Sequence, residues 1–343
     1  MGIISARVWD VYDWRPVRLF KMENSSGAYI ELSNYGATLV SVYVPDEHGR
    51  LDNVVLGYPT LQGYLKDTAY MGATIGRFAN RIAFATFELD GMNCRLEDND
   101  NGNSNHGGSS GFHSKVFDFE ITDDLLIFNL ESPDGEGGYP GNLRLQVTYQ
   151  WTEASELIID YRASCDRKTI ANFTNHAYFN LSSDQKKIFD HRLTVYADQL
   201  LEASVNYIPT GRILACDGLK FNQTLISDKI RIEGDRIEGL NVCYVLNDRE
   251  KTIRPAAKLQ DESSGRMMEV YTSYPGMMLY TGDFLNSVHP GQGGESYAAF
   301  DGLCLECQYF PDSPNQSGFP SIVLNAGEVY KHTIVFKFGI IAL

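Results

Sequence analysis

The 343-residue chain lacks several features that would place it in a familiar functional class. No apolar run is long enough to span a bilayer. The N-terminal stretch, interrupted by Asp10, Asp13, Arg15 and Arg18, has no secretory leader pattern. Basic residues are scarce: Lys plus Arg is 29 against 44 Asp plus Glu, a formal net charge of -15. A surface of that sign repels nucleic-acid phosphates and anionic lipid, so neither nucleic acid nor a membrane is expected as partner. The six cysteines are scattered and too few for a disulfide framework in a chain this long. With the missing leader, they point to a cytoplasmic setting. There is no G-x-S-x-G elbow. The glycine-rich Gly291–Ser296 stretch has neither the lysine nor the following helix of a phosphate loop. Long amphipathic helices are also missing.

Strand patterns fill the space. Leu143–Trp151 alternates apolar and polar residues, Leu157–Ala163 follows after a short polar turn, and His332–Gly339 closes the chain in the same style. Asp90-Gly91 between Phe87–Leu89 and Met92–Leu96 reads as a type I′ hairpin turn. A short helix is expected near Thr60, within Pro59–Tyr70. With 31 glycines punctuating the strands, the expected fold is all-β, a large antiparallel β-sandwich or barrel in a single domain spanning residues 1–343.

Three polar residues stand out. His106 lies in Asn101–Gly111, too rich in Gly, Asn and Ser for regular structure, and so belongs to a tight loop, at the surface or at a site. His176 interrupts the strand-like, aromatic Phe173–Leu181, and alternation places it on one face with Tyr178. A satisfied core histidine is the competing reading. Glu306 sits mid-strand in Gly302–Pro311, where a carboxylate either faces solvent on an edge strand or is partly desolvated. Desolvation would raise its pKa and make it a proton acceptor near neutral pH. Cys304 and Cys307 have C-x-x-C spacing. On a strand they point to opposite faces, and no second ligand pair accompanies them, so no metal site is expected.

Six segments in order, Gly76–Ile82, Asn105–Gly108 with Gly111-Phe112, Asn175–Leu181, Ile208–Gly211, Tyr280–Gly282 and Leu305–Asp312 with Asn315-Gln316, resemble the galactose mutarotase (aldose 1-epimerase) family. The resemblance implies a supersandwich fold and interconversion of the α and β anomers of a free aldose such as galactose or glucose, without metal or cofactor. It implies Glu306 as the base at the anomeric hydroxyl and His176 as the acid at the ring oxygen. His106, Asn80, Arg81 and Tyr178 would bind the sugar. Two binding positions depart from the family pattern: Asn241 stands where an Asp is usual, and Met278 where a Gln is usual. Both leave the acid and base untouched, so an altered sugar preference or a weaker affinity is expected. The alternatives are a phosphosugar 1-epimerase, which needs clustered Lys or Arg, a non-catalytic sugar-binding or sensing protein on the same scaffold, and a glycoside hydrolase, which needs a second carboxylate such as Asp301 or Asp312. The sequence carries no signal for an oligomeric state.

Overall fold

The computed structural model describes residues 3–182, 187–234, 236–248 and 252–341. Alternation in the sequence becomes antiparallel pairing throughout the three main sheets. A five-stranded meander runs from Ile3–Tyr12 to Leu51–Asn53 in chain order. A nine-stranded sheet has at its centre Leu143–Trp151, Glu156–Cys165, Tyr330–Ile340 and Arg266–Thr272. A six-stranded sheet is ordered Tyr178–Phe179, Leu303–Gln308, Gly276–Tyr280, Asn241–Leu246, Ala197–Ala203, Pro209–Ala215. The strands expected at 143–151, 157–163 and 332–339 are all present, as is a one-turn helix, Leu61–Leu65, with Thr60 at its N-cap.

Register explains why the nine-stranded sheet holds together. Trp151, Leu157, Phe336, Val270, Ala257 and Val195 are successive cross-strand partners and all are buried. A one-residue slip of any strand would turn its share of this row to the opposite face. The 86–95 hairpin forms as expected, with Asp90 (φ 52°) and Gly91 (φ 75°) supplying the two positive φ angles.

The main apolar core takes residues from all three sheets, among them Val42, Val147, Phe336, Met277, Leu303 and Leu305. Alternation along Leu303–Gln308 then sorts its two faces. Leu303, Leu305 and Cys307 enter that core, whereas Cys304 belongs to a second cluster with Tyr178 and Tyr58. The C-x-x-C pair is therefore split across the sheet, and all six cysteines are free thiols. Among the described residues no helix is long and apolar enough to cross a membrane.

Phe179 ties the sheets together. Its ring lies 4.9 Å from that of Phe336, so the short strand carrying Tyr178 is anchored to the nine-stranded sheet. Truncating this ring removes both transfer energy and packing. Phe179→Ala is expected to lower stability by about 3–5 kcal/mol, read as a drop in denaturation midpoint. A midpoint unchanged from wild type would mean that the contact is not structural.

Candidate active site

The outer face of the six-stranded sheet forms one wall of a cleft of about 170 Å³. Glu306 stands in the middle of Leu303–Gln308, which is paired on both sides, by Gly276–Tyr280 and Tyr178–Phe179. It is thus on an interior strand, and it is only 3% exposed. Burial pushes its carboxyl up to about 8, opposed by the nearby positive charge of Arg81.

His176 comes from the bend between Thr174–Asn175 and Tyr178–Phe179. Its Nε2 lies 3.7 Å from Glu306 Oε1, beyond hydrogen bonding but within reach of two oxygens on one carbon. Its Nδ1 meets the Cys304 thiol at 3.6 Å. Burial lowers its pKa to about 4. An acid and a base acting together on a sugar would need opposite protonation states, His176 protonated and Glu306 ionised. Burial instead favours neutral imidazole and protonated carboxyl, because low-dielectric surroundings penalise both charges. The pair still holds one proton between about pH 4 and 8. That is the same proton count as the charge-separated arrangement.

The opposite wall is built from tight loops. His106 (φ 53°), Asn80 (φ 70°) and Tyr70 (φ 56°) all adopt left-handed backbone, which costs a non-glycine residue on the order of 1 kcal/mol each. Gly107 (φ 85°) lets the His106 loop pass so close to Gly76 that any Cβ would lie 2.0 Å from the Gly76 carbonyl oxygen. The Asn80 backbone N–H donates to His106 Nδ1 at 3.2 Å, which makes Nε2 the protonated, donating nitrogen of the neutral ring. Burial, then the neighbouring His176, Arg81 and His113, holds His106 well below the usual imidazole range. Arg81 is fixed by Asp100 at 2.6 Å, with its guanidinium 5.2 Å from the Tyr207 ring. The Tyr178 hydroxyl donates to the Ala69 carbonyl at 3.1 Å.

His106, His176, Glu306, Asn80, Arg81, Tyr178 and Asn241 thus line one cleft, although they are spread over more than 200 residues. Met278, expected to bind substrate, does not line it. It packs instead with Leu201, Cys243, Val245, Phe310 and Phe319, beside an adjoining cavity that shares Asn241 with the first. The physical reason is its apolar side chain, which gains more from that cluster than from a polar cleft. Arg77 also lies elsewhere, buried and donating to Pro140 O, Gly141 O and Ser132.

Several cleft residues carried no sequence signal. Tyr70 packs against His106, His113 and His176 at 4.7, 4.8 and 5.9 Å. Phe284, 65% exposed at the mouth, and Asp100 behind Arg81 were equally hidden. Tyr70 and Phe284 resemble ordinary aromatic residues in loops, and Asp100 lies in a polar run where a carboxylate is unremarkable.

One donor atom each from His106, His176 and Glu306 lies within 4.8 Å of the others. These three side chains therefore converge on one point of the cleft.

The aldose 1-epimerase family model matches residues 18–337. Galactose mutarotase from Bos taurus is 39% identical over 313 residues, 91% of each chain. Aldose 1-epimerase from Escherichia coli strain K12 is 32% identical over 334 residues, covering 95% of this chain and 96% of its own. Two solved structures share the fold. An aldose epimerase homologue from C. elegans has TM-score 0.89 at 30% identity, covering 94% of this chain and 99% of its own. Galactose 1-epimerase from Lactobacillus acidophilus has TM-score 0.86 at 27% identity over the whole of both chains. The chain belongs to the aldose 1-epimerase family.

Burial of Glu306 has a consequence for stability. Its folded pKa is raised above the unfolded value, so its contribution is intact below the unfolded pKa near 4.5 and lost as pH rises through about 8. Glu306→Gln cannot ionise. Its melting temperature relative to wild type is expected to climb between pH 5 and 9, by an amount corresponding to a few kcal/mol. A constant difference across that range would show that Glu306 is not desolvated.

Proposed function

We propose that this protein is an aldose 1-epimerase acting on a free sugar, with Glu306 and His176 as its proton-transfer pair. The observation that carries this reading is their placement. Two buried groups face each other at 3.7 Å in a cleft of about 170 Å³, with polar donors on the opposite wall.

In this reading Glu306, as carboxylate, takes the proton of the C1 hydroxyl. As C1=O forms, the C1–O5 bond breaks and O5 receives a proton from His176. The open aldehyde rotates about C1–C2, and the reverse transfers close the ring on its other face. The net result is one proton passed from His176 to Glu306 through the sugar, and back on ring closure, so no proton is exchanged with solvent. Arg81, held by Asp100, favours the carboxylate at the moment it forms. His106, with Nε2 protonated, donates to a sugar oxygen, and Asn80, Tyr178 and Asn241 complete the binding wall. No step calls on a cofactor. We read residues 1–343 as one domain, since all three main sheets contribute to one core.

The rival readings lack such support. Among the described cleft-lining residues Arg81 is the one Lys or Arg, and it is already paired with Asp100, which is a poor cradle for a phosphate. Asp301 pairs with Lys187, and Asp312 accepts from the Ala83 N–H, so neither faces Glu306 across the cleft as a hydrolase would need. A pure sugar binder gives no reason to bury an acid and a base together.

Wild type is expected to accelerate the change in optical rotation of freshly dissolved α-D-galactose, α-D-glucose or another aldose. Glu306→Gln should reduce the rate at least about 100-fold. If wild type accelerates no free sugar, the enzyme reading fails and the binding one replaces it. Asn241 in place of a carboxylate weakens one hydroxyl contact, so the best sugar of a wide panel is expected to be neither galactose nor glucose. Either sugar ranking first would reject the altered preference alone. The rate should be highest between about pH 4 and 8, falling below as the pair gains a second proton and above as it loses its last. A rate that keeps rising beyond pH 9 would contradict the shared-proton pair.

A further inference from the structure

One oxygen of Glu306 is unusual. Oε1 faces His176, but Oε2 is buried and accepts no hydrogen bond. A buried carboxylate oxygen without a donor raises the free energy of the charged form.

The sheet register shows what stands beside it. Met278 is the direct cross-strand partner of Glu306, and Cys243 is the next residue along the same row. Directly paired residues share a face, with Cβ atoms about 5 Å apart. Met277 enters the main core, so alternation places Met278 on the cleft face with Glu306. Met278 is itself buried, and its thioether offers no proton.

The other groups around the carboxyl are few. Arg81 approaches from the loop wall, with its charge shared with Asp100. His176 and Tyr178 come from the neighbouring segment, and His106 from its own loop. Cys304, Cys307 and Cys243 bear on it as uncharged thiols, which burial pushes up. None of them donates to Oε2.

We propose that Met278 is a positioning residue for the base: standing beside Glu306 and offering no donor, it leaves Oε2 free for the hydroxyl of an arriving sugar and couples ionisation of the carboxyl to that arrival. This rests on the acid–base reading of Glu306. It assigns Met278 a part in the reaction without placing it on the substrate, and it gives the adjoining apolar cluster a function. The cluster of Leu201, Cys243, Val245, Phe310 and Phe319 keeps Met278 in place.

The test places a donor where Met278 stands. In Met278→Gln, an amide N–H of similar reach is expected to bond Oε2. The alkaline limb of kcat/KM should move down from about 8 by about one to two pH units. Met278→Leu, equally apolar, should leave the limb where wild type has it. A ¹³C NMR titration of the Glu306 carboxyl in the sugar-free protein, assigned by its loss in Glu306→Gln, should show the same displacement. That readout does not depend on turnover. If no sugar is turned over, the proposed activity fails while the titration still decides the role of Met278. If Met278→Gln does not fold, Met278→Thr supplies a hydroxyl for the same comparison. A folded donor variant whose carboxyl titrates as in wild type, or a Leu variant that shifts as far as the Gln variant, would overturn the proposal.

Discussion

The structure turns on one constraint: a carboxyl group sits in the interior of a β-sheet without a hydrogen bond to satisfy it. Desolvation alone would make Glu306 a neutral, inert acid. Arg81 and His176 make that position usable. One supplies a fixed positive charge, and the other is the proposed partner in proton transfer. The immediate neighbours of these three hold them in place. The Asp100 pair immobilises Arg81, the Cys304 thiol meets the far nitrogen of His176, and the strand ladder fixes Glu306.

The two walls are built by different physics. The sheet wall is regular, and alternation dictates which residues face the cleft. Leu303, Leu305 and Cys307 are spent on the core, leaving Cys304 and Glu306 for the site. The loop wall is irregular and strained, with three non-glycine residues in left-handed backbone around the cavity. Such conformations persist only where neighbours over-determine them. The close passage of Gly107 over Gly76, and the reciprocal hydrogen bonds of Asn80 and His106, provide that determination. In the proposed reaction, a rigid sheet carrying the base and a clamped loop carrying the donors together set the spacing that proton transfer needs.

Much of the fold was legible beforehand. The strands at 143–151, 157–163 and 332–339 alternate cleanly because one face of each enters the core. The Asp90-Gly91 turn was readable because few residue pairs accept two positive φ angles. The site was legible in part. Glu306 announced itself as a charge inside a strand, and His106 as a histidine in a segment too irregular to be core. Tyr70, Asp100 and Phe284 announced nothing, because their roles come from neighbours distant in sequence. Met278 was placed on the substrate by family position. The structure moves it into an apolar cluster beside the base, a distinction that depends on how the sheet face continues beyond Glu306.

The sequence by itself determined the class of fold, because hydrophobic alternation and turn chemistry are local properties that each strand carries alone. It also showed the candidate residues as types, a mid-strand carboxylate and two histidines in special contexts, and the family resemblance singled them out. Only the tertiary structure decided that they meet. Glu306 and His176 lie 130 positions apart along the chain, yet their side-chain atoms stand 3.7 Å apart. It also set the direction in which their pKa values move, which follows from how completely the sheet and loops bury them. Desolvation is a property of the assembled interior, and no single segment contains it.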